Sequence, residues 1–300
     1  MKKILKWTGI VLGALLLLIT GTAFYLRSSA QNRLEKKYQI QPKYITVPSD
    51  STAIAAGKKW VSSLCINCHG ENLAGTEFFH TPDLGSIPAP NLTPAGACKE
   101  YTDLDWDRAI RHGVSKAGLP LLIMPAKDFQ YLSDEHIAQI IAYLKTLPPV
   151  DKSWPRPSTT FLCDVLFQLG AFGDALNAET IDHQKPSHYA PERGVTAEYG
   201  QYVVKVFGCK TCHGENLNGG KDPNPEAPMG PNLTPGGNLV SWGDTAFIAA
   251  MRTGITPMGK ELNSKFMPWK EIGNFEDDQL KAIYTFLMAQ PNLPTADLKK

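Results

Sequence analysis

The chain has no excess of either charge: 30 Lys and Arg face 29 Asp and Glu, a formal net charge of +1 over 300 residues. Nucleic-acid binding leaves a basic footprint, and so even a balance gives no warrant for such a partner. Charged residues are only 20% of the chain against 43% hydrophobic, the composition of folded domains. Long apolar runs are scarce, with one at the N-terminus. Cysteine is also scarce: of six, four fall in two short motifs, which leaves Cys98 and Cys163 as the one pair free for a disulfide. In an oxidising compartment that bond would tie the first half of the chain to the segment after it; two separate buried thiols are the equal alternative. A length of 300 residues fits two domains of ordinary size with additional segments.

The chain is organised around Cys65-Ile66-Asn67-Cys68-His69, which returns 144 residues later as Cys209-Lys210-Thr211-Cys212-His213. Two thiols three positions apart reach the two vinyl groups of one porphyrin, and the next residue offers its imidazole to the iron. The pattern is therefore the attachment signature of a covalent c-type haem. Redox dithiols and zinc sites also use Cys-x-x-Cys. A thioredoxin-like motif needs a strand before it and has no use for the His, whereas a zinc site needs two further ligands nearby. Both copies keep the His and run on as His-Gly-Glu-Asn-Leu, at 69–73 and 213–217.

Lys2, Lys3 and Lys6 precede the apolar run, which carries no charge over 7–26. Twenty helical residues span about 30 Å, the thickness of a bilayer's hydrocarbon core. The segment 1–28 is expected to be a retained membrane anchor, with the lysines inside and the bulk of the chain outside. A signal peptide cut near Ser28-Ser29-Ala30 is the alternative, but the run exceeds the usual length of a signal's apolar region. Residues 29–48 read as a polar stalk whose start continues the helix.

Two domains are expected, at 49–150 and 191–294, joined by a connector at 151–190 and followed by a tail at 295–300. In each, a short apolar-striped helix delivers the haem motif: Ile54, Gly57, Trp60, Val61 and Leu64 ahead of Cys65, and Tyr199, Tyr202, Val203 and Val206 ahead of Cys209. Gly- and Pro-rich stretches follow and read as loop, unable to sustain helix or strand. They end in Pro90-Asn91-Leu92-Thr93-Pro94 and Pro231-Asn232-Leu233-Thr234-Pro235. Hydrogen bonds from these loops to a haem propionate and a shared turn without ligand contact are equal readings. Short helices at 106–114 and 247–255 end near Arg111 and Arg252, which are candidates for pairing with propionates. Each copy then reaches Met-Pro, Met124-Pro125 and Met267-Pro268, at 55 and 54 residues beyond the motif His. A terminal helix follows, with Ile137, Ile140, Ile141, Leu144 and Leu147 on one face of the first and Leu280, Ile283, Tyr284 and Leu287 on the second. Acidic residues open both helices and proline follows both. In the connector, Trp154-Pro155-Arg156-Pro157 and 182–191 read as linker, 161–169 is apolar enough to dock against a domain, and His183 and His188 read as solvated.

The order of helix, Cys-x-x-Cys-His, loop, Met-Pro and terminal helix resembles the small class I cytochrome c fold, twice in tandem over about 50–150 and 190–294. The resemblance implies a mainly α fold and two covalently bound haem c groups. It implies attachment through Cys65, Cys68, Cys209 and Cys212, with axial pairs His69 and Met124, and His213 and Met267. Met258 competes with Met267, and His80, His112 and His136 with Met124, but none of the four has an equivalent in the other copy. The Pro-Asn-Leu-Thr loops are similar to those of cytochrome subunits of membrane-bound bacterial dehydrogenases, which commonly carry three haem domains where this chain has two. Implied with the family are haem attachment outside a bacterial inner membrane, a periplasmic location for the bulk of the chain, and redox partners: a dehydrogenase or quinol-oxidising complex as donor, an oxidase or soluble carrier as acceptor. A di-haem peroxidase or sulfur-compound oxidoreductase also resembles this architecture but needs one haem with an exchangeable or different axial ligand.

Overall fold

The computed structural model describes residues 2–184, 189–222, 224 and 226–297, so His188 lies outside the described residues. It is mostly helical. Helix α1, Lys2–Leu34, is unbroken over 33 residues, and the 18-residue stretch of it apolar enough to cross a membrane has no buried residue.

The first cytochrome-like half contains α2 (Ser51–Leu64), the single turn α3 (Ile66–His69), strands β1 (Thr76–Thr81) and β2 (Gly85–Ala89), α4 (Asp103–His112), the turn α5 (Ala126–Phe129) and α6 (Asp134–Lys145). Strand β3 (Ser158–Thr159) and α7 (Phe161–Gln168) belong to the connector. The second half repeats the plan with α8 (Ala197–Val206), α9 (Lys210–His213), β4 (Asn218–Gly220), β5 (Gly230–Asn232), α10 (Gly243–Thr253), α11 (Trp269–Ile272) and α12 (Asp277–Met288).

Helix starts follow local chemistry. Asp50 caps α2, Ser133 caps α6 and Thr196 caps α8, each accepting from a backbone N–H in the first turn. A reciprocal Thr102 and Asp105 capping box starts α4 three residues before the apolar stripe suggested. The expectation that the stretches after the haem motifs form no strand is corrected. Antiparallel β1 and β2 pair through Phe79 with Ile87 and Thr81 with Gly85, β3 adds to β2, and β4 pairs with β5. The segment Thr76-Glu77-Phe78-Phe79-His80-Thr81 is rich in aromatic and β-branched residues, which suit an extended, half-exposed ribbon despite the glycines around it.

The core of each half is the crossing of the helix before the motif with the terminal helix. Trp60 and Val61 of α2 are buried against Ile137, Ile140, Ile141 and Leu144 of α6; Tyr199, Tyr202, Val203 and Val206 of α8 are buried with Leu280, Ile283 and Leu287 of α12. At each crossing a glycine sits on the partner backbone. A Cβ at Gly57 would lie 1.9 Å from the Gln139 carbonyl oxygen, and one at Gly200 would lie 1.9 Å from that of Ala282.

Both cores belong to one hydrophobic cluster. Trp60 packs edge-on to Phe275 at 5.5 Å and to Tyr202 at 6.4 Å between ring centroids. The Tyr202 hydroxyl lies 2.6 Å from Nδ1 of His136 and accepts from the Ser133 N–H at 3.1 Å. Asn274 donates to the Ser62 carbonyl at 2.8 Å, and Lys59 pairs with Glu276. The halves therefore meet through packing and directional bonds that fix their relative position.

The connector is also packed. Helix α7 lies against the last turns of α1, where Phe161 meets Phe24 at 5.4 Å and Arg33 lies over Phe167 at 4.3 Å, and Leu122 of the first domain joins the apolar cluster that holds Phe167. Arg33 also pairs with Glu179 at 2.7 Å, and Ala30 is fully buried there. The reading of His183 as solvated is corrected as well. It is half-buried, with Nδ1 3.0 Å from Nδ1 of His112 and Nε2 2.9 Å from the Ala178 carbonyl. The stalk is packed too, Ile45 being buried and the Ile40 carbonyl accepting from Arg108 at 2.9 Å.

Replacing Gly57 or Gly200 by Ala forces each helix pair apart, and a loss of about 3 kcal/mol or more is expected in urea denaturation of the haem-loaded protein. The interface adds a pH dependence. Burial holds the His136 pKa at about 4, against about 6.5 in an unfolded chain. Between these values the unfolded state binds a proton that the folded state refuses, so stability falls as pH drops from about 6.5 toward 4, by up to about 3 kcal/mol. His136→Gln should flatten that part of the stability profile relative to the parent; an unchanged slope would show that His136 does not cause it.

Candidate haem sites

Helix α2 ends at Leu64 and α8 at Val206, so that each Cys-x-x-Cys-His falls on the single helical turn that follows. Gly70 and Gly214 stop these turns at φ 80° and 81° with ψ 160°, a conformation open essentially to glycine alone. The two imidazoles are buried, at 7% exposure for His69 and 6% for His213. His69 Nδ1 lies 2.9 Å from the Pro90 carbonyl and His213 Nδ1 lies 2.9 Å from the Pro231 carbonyl. A carbonyl only accepts, so Nδ1 carries the hydrogen and Nε2 keeps its lone pair for a metal. Burial holds both pKa values below the usual histidine range, which keeps the rings neutral, as a ligand must be.

Burial acts on the thiols too. It pushes Cys65, Cys209 and Cys212 up to about 12 and Cys68 to about 11. Redox dithiols need a lowered thiol pKa, and these are all raised. Among the described residues no group of three or more His, Cys, Asp or Glu is placed to hold a metal ion, so a four-ligand zinc site lacks its donors. Of the readings open for the motif, covalent haem attachment is the one these residues fit.

The repeated loop motifs explain each other. Leu73 and Leu217 both sit at φ 57°, and their carbonyls accept from Leu92 and Leu233 at 2.8 Å in each case. The Asn of each Pro-Asn-Leu-Thr is buried. Asn91 donates to the carbonyls of Val150 and Lys152 at 2.8 and 2.9 Å, and Asn232 donates to that of Leu293 at 2.9 Å. Each Asn Oδ1 in turn accepts from the Thr two residues on at 2.9 Å. These amides are not propionate donors. They tie the proline that orients the histidine to the chain leaving the terminal helix.

Both arginines have carboxylate partners. Arg111 is 5% exposed, donating to Asp107 at 2.5 Å and to Asp134 at 2.7 Å; Arg252 donates to Asp277 at 2.8 Å. Each thus binds the first carboxylate of the terminal helix, where the N–H groups of the helix end leave an acceptor well placed.

Met124 and Met267 have matching backbones. Pro125 at φ −79°, ψ 49° and Pro268 at φ −76°, ψ 57° are centres of inverse γ-turns, with the methionine carbonyl accepting from the residue after proline at 2.7 Å in both. Both methionines are half-buried and pack on the core. A cavity of about 1140 Å³ is lined by Cys65, Cys68, His69 and Met124 together. Met258, by contrast, is 68% exposed beside Gly259. His80 lies on β1 near Glu77, His112 faces His183, and His136 lies at the domain interface, none of them lining that cavity. Cys98 and Cys163 are free thiols in separate places, Cys98 on the cavity wall and Cys163 in α7. Arg27, Gln31 and Leu34 of α1 and the following Glu35 also line the cavity, and no signal in the sequence points to this, since nothing periodic relates them to the motif.

The family model for cytochrome c matches residues 54–148 and again 197–291. The chain is 24% identical over 281 residues to the cytochrome c subunit of the quinone-dependent alcohol dehydrogenase of Gluconacetobacter polyoxogenes, covering 83% of this chain and 58% of that one. It therefore spans somewhat over half the length of that relative. It is 29% identical over 217 residues to a diheme cytochrome c-type protein of Cereibacter sphaeroides, covering 64% of this chain and 70% of the relative. It is 30% identical over 158 residues to the gluconate 2-dehydrogenase cytochrome c subunit of Pantoea cypripedii, covering 50% and 35%. Two matched domains, each with its own Cys-x-x-Cys-His, carry two covalently bound haem c groups, and the chain belongs to the cytochrome c family.

Proposed function

We propose that this protein relays single electrons through two haems, each held between an imidazole and a thioether, His69 with Met124 and His213 with Met267. The observation that carries the reading is the first cavity, where an imidazole with its Nδ1 fixed on a proline carbonyl and a methionine on a proline γ-turn line one space with both attachment cysteines. When bound, the haem supplies an iron that gains and loses one electron. The protein's part would be to hold each iron with its own side chains, His69 with Met124 and His213 with Met267, which would leave electron transfer without bond making as the chemistry available. A thioether and an imidazole as the two ligands would favour the reduced state relative to two imidazoles and raise the potential. The buried, tautomer-fixed His keeps the ligand field constant during turnover, and the interdomain contacts keep the distance between the two centres constant.

Helix α1 is long and apolar enough to hold the protein in the bacterial inner membrane, and the lysines at its start favour a cytoplasmic N-terminus with the haem domains on the periplasmic side. The likeness to dehydrogenase cytochrome subunits supports a membrane-bound dehydrogenase or quinol-oxidising complex as donor, and an oxidase or soluble carrier as acceptor.

Met124→Ala and Met267→Ala test the ligands one at a time. Each should abolish the weak red absorption band of thioether-ligated ferric iron for one haem only, and lower that centre's potential so that its oxidised-to-reduced ratio rises tenfold or more, about 59 mV. A variant whose two centres keep the parent spectrum and potential removes that methionine from the assignment.

A further inference from the structure

The cavity of the first site is not closed by its own domain. Arg27, Gln31 and Leu34 on the last turns of α1, and Glu35 just beyond its end, line the same space as His69 and Met124. Helix α7 holds them there, running parallel to α1. Phe161 meets Phe24 at 5.4 Å and Arg27 at 5.3 Å, Asp164 meets Gln31 at 2.8 Å, and Phe167 meets Arg33 at 4.3 Å. At the centre of this clamp the Asp164 side chain has 0% exposure. It accepts from Thr159 at 2.6 Å and from Gln31, and lies 3.6 Å from Arg27 Nε. So buried a carboxylate is tolerated only where charge and donors meet it, and Arg27, its side chain 45% exposed, supplies that charge from the cavity wall.

Arg27 is also the first charged residue after the apolar run. At 1.5 Å per residue, the stretch of α1 from 27 to 34 covers roughly the first 10 Å beyond that run. The first cavity therefore stands at the foot of the protein, beside the end of the segment suited to the bilayer.

We propose that α1 is a wall of the first haem site as well as an anchor, and that Arg27, held by Asp164, tunes that haem's affinity for an electron. A cation on the wall favours the reduced haem, which carries one positive charge fewer than the oxidised one, and a carboxylate favours the oxidised haem. The inference rests on the assignment of the first haem to His69 and Met124.

The test is a redox titration of the full chain in lipid nanodiscs, followed by visible absorption, with Met124→His marking the wave of the first haem. At fixed ambient potential, Arg27→Ala should raise the oxidised-to-reduced ratio of that haem about three- to tenfold, and Asp164→Asn should lower it by a similar factor. Arg27→Lys should retain most of the parent value, and the second haem should move less than about twofold. A pocket that merely loosens and admits water would shift both variants the same way. That result, or no shift in either, or equal shifts of both haems, overturns the inference. If Met124→His moves neither wave, the sulfur assignment falls instead, while opposite shifts confined to one wave still support α1 as the wall.

Discussion

No side chain separates α2 from α6 at Gly57, or α8 from α12 at Gly200, and the rest of each domain depends on that closeness. The backbone contact fixes the angle and height at which the first helix delivers its Cys-x-x-Cys-His turn. The terminal helix then becomes the frame for everything else. Its first carboxylate receives Arg111 or Arg252, and the chain beyond its end receives the Asn whose neighbouring proline carbonyl orients the histidine. Attachment, imidazole orientation and the placing of the Met-Pro turn are thus all referred to one helix pair, which is why a small fold can hold a large planar cofactor in a single position.

The two copies differ in how they use equivalent contacts. Arg111 is almost wholly buried together with Asp107, with Asp134 32% exposed, whereas Arg252 and Asp277 have side chains 37% and 70% exposed. The first can be broken only by leaving a charge without a partner in the interior; the second is a surface pair of small energetic weight. Burial pushes the pKa of Asp107 up even with Arg111 beside it, which indicates how strongly that site resists charge. The first copy also recruits β3, α7 and the end of α1, so that the half nearer the apolar helix is the more heavily braced.

Burial has a chemical consequence beyond stability. It favours neutral imidazole and neutral thiol over their charged forms. Neutral imidazole is the ligand form, and neutral thiols suit side chains destined for thioether bonds more than for redox exchange. The same removal from water that builds the core therefore prepares the residues for the cofactor.

Much of this was legible in the sequence because it is local or repeated. The Cys-x-x-Cys-His turns, the apolar faces of α2, α6, α8 and α12, the acidic helix starts and the Met-Pro pairs all depend on spacing along one segment, and duplication marks them out from chance. The β1 and β2 hairpin was hidden by the glycines and prolines around it. What only the tertiary structure decided is where long-range partners go. Arg111 and Arg252 meet terminal-helix carboxylates, the Asn91 and Asn232 amides brace backbone, His136 joins the two domains, and α7 clamps α1 so that Arg27 reaches the first cavity. Each of these outcomes is set by which groups are desolvated together, and desolvation is a property of the packed chain that no spacing rule along the sequence encodes.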